Sequence, residues 1–566
     1  MKNQEIAKIF YEIADYLEMD EVPFKPYAYQ RAAIGLESIE EGVEDIYKRG
    51  GIGALKEIPG VGESIARSIE EYLKTGRIKY YEQFKKRLPI NLQELISVEG
   101  MGPKKARILY QKLGIRNLKD LEKAAKAGKI SHLFGFGEKT EKNILEGIAF
   151  FKKSKGRFLL GEILPKVREI QGKLKNFKEV ERVDVAGSLR RRKETIGDVD
   201  FLVISKHPSK VMDFFVSLPE VVKIWSKGTT KASVRTKGGF DMDIRVVPQK
   251  SYGSALQYFT GSKEHNIVTR RIAIDKGFKL SEYGLFMGKK MIASETEEEI
   301  YKKLGMPWVE PELRENQGEI QAAQEHKLPK IIGYNDIKGD LHVHEKDSSI
   351  EELAEAAQEM GYEYLGISDH TKSLYIEHGL GEKQLIKRNK RIDNLNKDFK
   401  NFKILKGAEV NIMKNGLMDI KDEVLAQMDY VIAGIHSLMK MPKDQMTERI
   451  IKAMKNPNID IISHPTGRLL KERDEYQIDL DKILKAAKET GTILEINGSP
   501  NRLDLNDQNI RKAKKAGVKM VINTDSHHAG QLRLMEFGVS QARRGWAEKE
   551  DIVNCWPLEK LLKYFK

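Results

Sequence analysis

From residue 336 onward, short apolar runs alternate with amphipathic runs of helical spacing, and this alternation constrains the fold more than any other feature of the chain. The apolar runs predict seven strands, which fall at residues 338–343, 363–368, 403–408, 429–435, 459–463, 492–496 and 518–523. Helical stretches such as 350–360 and 479–490 separate most of them. Because strands that alternate with helices form parallel sheets, we expect residues 336–566 to fold as a distorted seven-stranded TIM-like (β/α) barrel.

Residue types that ligate metals stand at the ends of six of these seven strands. They are His342, His344, His370, Glu409, His436, His464, Asp525 and His527. The carboxyl ends of the strands form the active-site rim of such a barrel, so we expect these side chains to meet. One histidine is most often a core or surface residue, but six strand-end coincidences make that explanation a poor one. His378 and His528 fall outside the pattern and are interpreted as bystanders.

The chain of 566 residues has one cysteine, Cys555, which excludes an internal disulfide framework and cysteine-based zinc fingers. Nitrogen and carboxylate ligands without sulfur suit Zn²⁺, Mn²⁺ or iron. A set of this size implies two or three ions, with a bridging water that attacks a phosphoester. The sequence shows no apolar run long enough to span a membrane and no secretory signal at its start, so we expect a cytoplasmic protein.

The positive charge of the chain is local. The net charge is +14, but residues 51–250 alone carry +18, whereas residues 301–566 carry +1. Lysine that served only solubility would be spread evenly. The local excess therefore predicts a nucleic-acid partner for residues 51–250.

A hydrophobic-x-Gly-x-Gly turn occurs three times in the basic region, each time before a helical run. The glycine pairs are Gly60 and Gly62, Gly100 and Gly102, and Gly135 and Gly137. Such a turn points backbone N–H groups outward at a helix N-terminus, where they bind phosphate without reading bases. Lys104 and Lys105 flank the second turn. The alternative is that each pair only joins two helices, but three copies favour two helical DNA-binding regions, at 1–88 and 89–150.

A pair of carboxylates on one strand follows a glycine-serine turn. Asp198 and Asp200 lie two residues apart on a predicted strand, so both face the same side, where Mg²⁺ or Mn²⁺ can bind. Gly187 allows close approach of a triphosphate, and Ser188 and Arg191 can bind its oxygens. A second pair, Asp241 and Asp243, lies on another predicted strand. One of these would complete a two-metal site for nucleotidyl transfer.

Four motifs resemble those of family X DNA polymerases, the polymerase-beta-like group. They are Gly187-Ser188-x-Arg-Arg, Gly197-Asp198-x-Asp200, Asp243-Ile-Arg and Tyr258-Phe-Thr-Gly-Ser262. The resemblance covers roughly residues 1–312 and includes the glycine turns, which resemble helix-hairpin-helix motifs. It implies gapped or nicked DNA and deoxynucleoside triphosphates as partners. It also implies an α+β nucleotidyltransferase palm at 151–250, a nucleotide-selecting subdomain at 251–312 and a linker at 313–335.

The resemblance assigns roles to single residues. It implies catalytic metal binding by three aspartates, with the Asp-Ile-Arg context selecting Asp243 over Asp241; the set is Asp198, Asp200 and Asp243. Further matches are the triphosphate ligands Ser188 and Arg191, the sugar-side wall Tyr258, Phe259 and Gly261, and the base contact Asn266.

Residues 336–566 resemble the PHP (polymerase and histidinol phosphatase) domain. The matching motifs are Asp-Leu-His342-x-His344, Ser-Asp-His370, Glu409, His436, Ser-His464-Pro and Thr-Asp525-Ser-His527. A PHP domain after a family X polymerase resembles the bacterial and archaeal members. The resemblance implies 3′-5′ exonuclease and 3′-end phosphatase activity, with abasic-site cleavage as an open third activity.

Two positions depart from the family patterns. Ser349 stands where an aspartate is usual in the first PHP motif, with Asp347 as the nearby substitute, so the number of ions is open. Ser64 and Ser68 stand where some family X polymerases carry lysines that form a Schiff base. A serine cannot form an imine, so 5′-deoxyribose-phosphate lyase activity by that route is not expected.

These patterns indicate a monomeric, nucleoid-associated repair polymerase that also trims DNA ends. One alternative is a nucleotidyltransferase for RNA or small molecules fused to a small-molecule phosphatase, because the ligand set determines the chemistry and not the substrate. The other is a non-catalytic DNA-binding scaffold.

Overall fold

A computed structural model describes residues 2–39, 41–96, 98, 101–153 and 157–565 of the chain. It consists of two compact units. The first is Met1–Lys155 with Lys471–Arg473, and the second is Gly156–Leu470 with Asp474–Lys566. Among the described residues, no helix combines the length and the apolar character that crossing a membrane requires.

The first unit is helical. Its helices are α1 Lys2–Met19, α2 Lys25–Ser38, α3 Val43–Leu55, α4 Glu63–Thr75, α5 Lys79–Arg87, α6 Leu92–Ile96, α7 Pro103–Leu113, α8 Leu118–Lys126 and α9 Glu138–Lys153. Each glycine turn leads into one helix, α4, α7 or α9, as the sequence predicts. The helices share one apolar core, to which α4 contributes Ile65 and Ile69 at helical spacing.

A mixed five-stranded sheet forms the start of the second unit. Its strands are β2 Arg182–Val185, β4 Asp198–Ile204, β5 Val221–Lys227, β6 Lys231–Thr236 and β7 Asp241–Val247, in the order β2-β4-β7-β6-β5. Only β4 and β7 are parallel. The short strands β1 Phe158–Leu159 and β3 Thr195–Ile196 pair separately. The associated helices are α10 Leu160–Asn176, α11 Gly187–Arg190 and α12 Pro208–Val216. These elements have the mixed α+β character that the sequence predicts, and the region is called the palm below; its assignment as a nucleotidyltransferase palm stays a prediction.

A smaller helix-and-sheet region follows the palm. Its elements are α13 Tyr252–Thr260, α14 Lys263–Asp275, β8 Lys279–Ser281, β9 Gly284–Met287, β10 Lys290–Ala293, α15 Glu297–Lys303 and α16 Glu319–Gln324, with the three strands antiparallel. The predicted linker 313–335 is not extended in solvent: Leu313 and Ile320 join the core of this region. The polar composition of the segment suggested a solvent-exposed linker. Some of its charged side chains instead form ion pairs within the small region, such as Arg314 with Glu297 at 2.6 Å.

Parallel strands alternating with helices make up the rest of the chain. The strands are β11 Gly339–Val343, β12 Tyr364–Ile367, β13 Lys403–Lys406, β14 Glu409–Asn411, β15 Ile432–Gly434, β16 Ile461–Ile462, β17 Ile493–Asn497 and β18 Met520–Asn523. The helices are α17 Ile350–Glu359, α18 Glu382–Leu395, α19 Asp422–Leu425, α20 Lys443–Met454, α21 Leu480–Thr490, α22 Asp507–Ala516, α23 Met535–Arg544 and α24 Leu558–Leu562.

The third predicted strand, 403–408, contains β13, and the chain then continues into β14, which belongs to a different sheet. One sheet has the order β11-β12-β13 and the other β14-β15-β16-β17-β18. The division falls at Gly407, where a Cβ atom would lie 2.3 Å from the ring of Tyr430. Arg388 also donates a hydrogen bond to the Gly407 carbonyl, which removes that acceptor from the ladder. Two isolated bridges, His370–Glu409 and Val343–Ser526, connect the sheets.

The palm and the C-terminal half of the second unit share an apolar core. Leu503 and Phe537 come from the C-terminal region, yet both belong to the cluster built by α10 and the palm sheet. Gly161 on α10 lies so close to Pro500 that a Cβ atom would come within 2.4 Å of it. Arg468 pairs with Glu194 of the palm, and Arg168 pairs with Glu536 of α23 at 2.6 Å. The second unit therefore folds around contacts between its two halves.

Leu503→Ala tests this shared core. We expect it to lower the free energy of unfolding by about 2–5 kcal/mol, because the substitution leaves a cavity at a buried site. Urea unfolding followed by tryptophan fluorescence is the measurement, since Trp225, Trp308, Trp546 and Trp556 all lie in the second unit. Leu417→Ala, at a site that is 53% exposed, is the matched control and should change stability by less than about 0.5 kcal/mol. Equal effects would contradict the shared core.

Candidate active sites

The parallel pairing of β4 with β7 brings the predicted polymerase aspartates to one face of the palm sheet. The register places Asp198 opposite Asp241 and Asp200 opposite Asp243. Because side chains alternate along a strand, all four carboxylates lie on the same side. Asp200, Asp243 and Phe259 line a cavity of about 40 Å³ on this face.

Asp200 carries the strongest electrostatic signal of this site. Burial, together with the negative charges of Asp198 and Asp243, raises its pKa to about 7. Carboxylates that disfavour one another's ionisation are a fitting environment for a cation, because a bound ion removes the repulsion.

The surroundings of the second carboxylate pair distinguish its two members. Asp241 accepts hydrogen bonds from Arg235 at 2.7 and 2.8 Å and from the Trp225 indole at 2.9 Å. Asp243 has Lys231 at 3.3 Å and lines the cavity, whereas Asp241 does not. The geometry therefore favours Asp243 as the third metal ligand.

Gly187 begins α11 directly beside the aspartates. Its φ of +61° favours glycine, and a Cβ atom would lie 2.3 Å from Oδ2 of Asp200. Ser188 follows in the same short helix, half-buried. The turn therefore lies directly beside the aspartates, and the predicted close approach of a triphosphate to Gly187 stays a prediction.

The predicted triphosphate and sugar ligands lie together. Arg191 donates to Glu315 Oε1 at 3.0 Å and to the Thr260 carbonyl, and Gly261 is close enough that a Cβ atom would lie 3.2 Å from Arg191. The ring centroids of Tyr258 and Phe259 are 5.1 Å apart. The structure therefore groups these residues at one end of the palm.

Asn266 is not free to contact a base. It is 7% exposed; its amide oxygen accepts from Gln257 at 2.8 Å, and its amide nitrogen donates to the Tyr258 carbonyl at 2.7 Å. A contact with an incoming nucleotide requires these bonds to rearrange. The role of Asn266 stays a prediction.

The eight predicted ligands of the C-terminal half form one cluster around the carboxylate of one of them, the buried Glu409. The contacts to Glu409 are His370 at 2.7 Å, His342 and His464 at 3.2 Å, His436 at 3.3 Å and His344 at 3.8 Å. Asp525 contacts His344 at 3.3 Å, and the rings of His344 and His527 are 4.6 Å apart. The position of these residues at predicted strand ends was enough to predict that their side chains lie together.

The ligand atoms of this cluster fit metal ions. Buried atoms without a hydrogen bond include Nε2 of His342, His344 and His436, Nδ1 of His344, His370 and His464, and Oε2 of Glu409. Buried polar atoms are normally hydrogen-bonded, so such a concentration of exceptions indicates ligand positions. Three groups have ligand atoms within 4.8 Å of one another among the described residues: His344–His370–His527, His342–His344–Asp525 and His370–Glu409–His436.

The protonation states of the cluster differ from one residue to another. Burial alone would lower the pKa of His342 and of His370, but the charge of Glu409 raises both, so these two rings must lose a proton when they bind a metal. Burial holds the pKa of His344 well below its ordinary value, which keeps the ring neutral as a ligand must be. Burial opposes ionisation of Glu409 as well, but the charges of His342, His370 and His436 hold its pKa well below the usual range. The carboxylate is therefore ionised at the centre of the site.

Two residues that orient ligands were missed from the sequence. Glu495, within the apolar run of β17, contacts His342 Nδ1 at 2.6 Å, and Asn411 Oδ1 lies 2.8 Å from His436 Nδ1. Such partners leave the Nε2 atoms aimed at the metal position. The sequence did contain a clue to Glu495. The predicted strand 492–496 is the one strand of the seven to which no metal ligand was assigned, and Glu495 is a carboxylate within it.

Ser349 has a structural role. Its side chain accepts from the Glu352 N–H, and Glu352 accepts from the Ser349 N–H, so the two form a capping box at the start of α17. Asp347, the nearby carboxylate that could substitute for the usual aspartate, is a member of none of the three ligand groups. Among the described residues, the three groups contain seven of the eight predicted ligands and not His464, so metal binding by the full set stays a prediction.

The glycine turns share one geometry. The second hydrophobic residue donates to the first across each turn: Val61 to Ile58 at 3.0 Å, Met101 to Val98 at 3.0 Å and Phe136 to Leu133 at 2.9 Å. Gly62, Gly102 and Gly137 directly precede α4, α7 and α9. Gly60 and Gly135 have φ of +79° and +83°, whereas Gly100 lies outside the described residues.

Four side chains that the sequence analysis singled out, Lys104, Lys105, Ser64 and Ser68, lie near these turns. Lys104 is exposed and lies 3.3 Å from Glu21, and Lys105 lies 5.9 Å from the centre of the Phe136 ring. Ser68 donates to the Ser64 carbonyl at 3.2 Å on α4. Hydroxyl groups thus occupy both positions at which a lyase would need an amine.

Comparison with known proteins agrees with this architecture. Family models match at four places: a helix-hairpin-helix domain at residues 1–78, a SAM-like helix-hairpin-helix tandem at 92–149, the DNA polymerase beta thumb at 255–315 and the PHP domain at 340–499. Together with the palm aspartates, these matches define a polymerase-beta-like nucleotidyltransferase joined to a PHP domain.

Individual relatives identify the family. The DNA polymerase/3'-5' exonuclease PolX of Bacillus subtilis (strain 168) is 36% identical over 575 residues, which span 100% of both chains. A probable phosphatase of Thermoanaerobacter sp. (strain X514) is 35% identical over 173 residues, 29% of this chain and 68% of that protein. A probable phosphatase of Acetivibrio thermocellus is 31% identical over 195 residues, 32% of this chain and 73% of that protein. The chain belongs to the family X DNA polymerases that carry a C-terminal PHP domain.

Asp200→Asn tests the electrostatics of the palm site. Because the folded-state pKa of Asp200 is raised from 3.8 to about 7, folding favours its protonated form, and this stability is lost as the pH rises toward 7. Without divalent ions, the variant should gain stability over the native protein between pH 4 and 7, by about 1–3 kcal/mol in total. Urea unfolding at several pH values measures it. A difference independent of pH, or unaffected by Mg²⁺, would contradict the assignment.

Glu495→Gln tests the orienting role of Glu495. The metal affinity of the histidine cluster should fall about 10–100-fold, as is typical when a carboxylate partner of a ligating histidine is lost. Titration of the metal-free protein with Zn²⁺ or Mn²⁺ by calorimetry is the measurement. Glu489→Gln, at an exposed site of the same half, is the matched control. Unchanged affinity in Glu495→Gln would remove Glu495 from the site.

Proposed function

We propose that this protein is a DNA-directed DNA polymerase that fills short gaps during repair and removes nucleotides or phosphate from DNA 3′ ends at a second site. The observation that carries the proposal is the presence, in one chain, of paired aspartates on parallel palm strands and a buried histidine–carboxylate cluster. The relative from Bacillus subtilis, whose printed name combines both activities, supports the pairing.

At the polymerase site, Asp198, Asp200 and Asp243 would hold Mg²⁺ or Mn²⁺. When bound, these ions lower the pKa of the attacking primer hydroxyl and stabilise the leaving pyrophosphate. Gly187 and Ser188 bring backbone and hydroxyl groups to the triphosphate, and Arg191 supplies charge.

The sugar of the incoming deoxynucleotide would lie against Tyr258, Phe259 and Gly261. Arg245 lies 4.6 Å from the centre of the Phe259 ring, a cation–π contact that favours this position of the ring. A fixed aromatic wall beside the aspartates would exclude a bulkier sugar, so it can select deoxynucleotides by shape.

At the hydrolytic site, the eight ligands would hold two or three Zn²⁺ or Mn²⁺ ions. When bound, the ions supply an activated water for phosphoester hydrolysis. Glu495 and Asn411 orient His342 and His436. The two isolated bridges between the sheets support closure of the strands into the predicted barrel.

DNA would bind chiefly through the basic region. The turns before α4, α7 and α9 place helix N-termini where phosphates can bind, and this binding is independent of sequence. Residues 301–566, with a net charge of +1, add little attraction of their own. The monomeric state and nucleoid association stay predictions.

The alternatives fit the observations less well. A non-catalytic scaffold gives no reason for buried ligand atoms without hydrogen bonds. An RNA or small-molecule transferase gives no reason for tandem helix-hairpin-helix regions. Preference for gapped DNA over tRNA ends, and for DNA 3′ ends over soluble phosphate esters, separates the proposal from both alternatives.

Single substitutions should separate the two activities. Asp198→Ala and Asp243→Ala should each lower extension on a one-nucleotide gap by about a thousandfold or more, because a metal ligand is lost, and should leave 3′-end trimming intact. His342→Ala should do the reverse. Products resolved on a denaturing gel give both readings from the same reaction.

Asp241→Ala is the matched control for Asp243→Ala, since both lie on β7 and only Asp243 lines the cavity. It should retain extension within about tenfold. If one substitution abolished both activities, or if neither Asp198→Ala nor His342→Ala affected its own, the model of two sites would be wrong.

A further inference from the structure

Arg544 of the C-terminal half reaches the nucleotide-binding end of the palm. It is the last residue of α23, and its side chain is only 2% exposed. Its guanidinium donates to the Arg191 carbonyl at 2.9 Å, to Glu315 Oε1 at 3.1 Å and to Asp507 at 2.5 Å. A buried cation from the hydrolytic half thus contacts the backbone of a predicted triphosphate ligand.

Glu315 joins the two arginines. Its Oε1 accepts from Arg191 Nε at 3.0 Å as well as from Arg544, and its Oε2 lies 3.5 Å from Lys193. Burial alone would raise the pKa of Glu315, but the charges of Arg544, Arg191 and Lys193 lower it. Glu315 is therefore an ionised carboxylate that Arg544 and Arg191 share.

Because Arg544 shares Glu315 with Arg191, it affects how much positive charge Arg191 presents to a bound triphosphate. With Arg544 present, much of the negative charge of Glu315 is neutralised from the C-terminal side. Without Arg544, that charge would act mainly on Arg191 and against an approaching triphosphate. In a poorly hydrated site such an uncompensated charge has a large effect.

We propose that Arg544 is a positioning residue for the incoming nucleotide: it neutralises Glu315 and holds the Arg191 backbone, so that Arg191 can bind the triphosphate. The polymerase site is in this sense completed by the hydrolytic half. The proposal rests on the proposed function of Arg191 and goes beyond it, because it assigns nucleotide affinity to a residue that lies 353 positions further along the chain.

The adjacent Arg543 provides a matched comparison. It too is buried and pairs with glutamates of the small region after the palm, Glu312 at 2.7 Å and Glu310 at 3.1 Å. It also donates to the Ile332 carbonyl at 2.8 Å. None of these contacts involves Arg191 or Glu315, so its loss removes a similar ion pair at the same interface without changing the charge beside Arg191.

The experiment compares Arg544→Met with Arg543→Met in the full chain, by gap filling over a range of deoxynucleotide concentrations. Arg544→Met should raise KM for the nucleotide by about tenfold or more, with kcat within about threefold. Arg543→Met should leave KM unchanged. In the Arg544→Met background, Glu315→Gln should return KM toward the native value, because the uncompensated charge is gone. A purely structural role for Arg544 would not predict this rescue.

Further variants keep every outcome interpretable. Thermal unfolding and 3′-end hydrolysis report whether each variant is folded. Should Arg544→Met fail to fold, Arg544→Lys retains a charge without the forked geometry, and an intermediate KM is expected. An unchanged KM in the folded variant, or no rescue by Glu315→Gln, would overturn the proposal.

Arg191→Ala separates failure of this inference from failure of the proposed function. If it leaves KM unchanged, the assignment of Arg191 to the triphosphate is wrong, and the role of Arg544 falls with it. If it raises KM and Arg544→Met does not, only the role of Arg544 is wrong.

Discussion

Parallel pairing of neighbouring strands is the constraint on which both sites depend. In the palm, one parallel pair in an otherwise antiparallel sheet places Asp200 directly beside Asp243. In the C-terminal half, parallel strands bring successive strand ends to one edge, where the bridge between His370 and Glu409 joins the two sheets. Distant residues become neighbours because the backbone ladder sets their register, and the side chains then require only the correct residue type at each position.

Sequence spacing was sufficient wherever the determinant is local. The i, i+2 spacing of Asp198 and Asp200 predicted their common face, and the glycine turns predicted that a helix follows each of them, as α7 follows Gly102. The strand-end histidines were predicted for the same reason, because the residue after a parallel strand lies at the carboxyl edge of the sheet. These features follow from the periodicity of one segment and from the chemistry of its last residue.

Features that depend on distant partners were not predicted. The break at Gly407 depends on Tyr430, and the burial of Arg314 within the predicted linker depends on its ion pair with Glu297. Glu495 is visible in the sequence as a carboxylate within an apolar strand, but its contact with His342, 153 positions earlier in the chain, depends on how distant strands are placed. Asn266 matched a family position, but its internal hydrogen bonds become visible only when Gln257 and Tyr258 are placed.

The segment that follows His464 has a consequence for how such a chain can be built. Four residues beyond this ligand, Arg468 holds Glu194 of the palm, and Gln541 donates to the same carboxylate at 2.7 Å. Leu503 meanwhile fills part of the palm core. The palm and the C-terminal half therefore cannot be exchanged independently of each other. A palm fused to a foreign barrel would have an unpaired Glu194 and a hole in its interior, so recombination can replace neither half without redesigning the surface of the other.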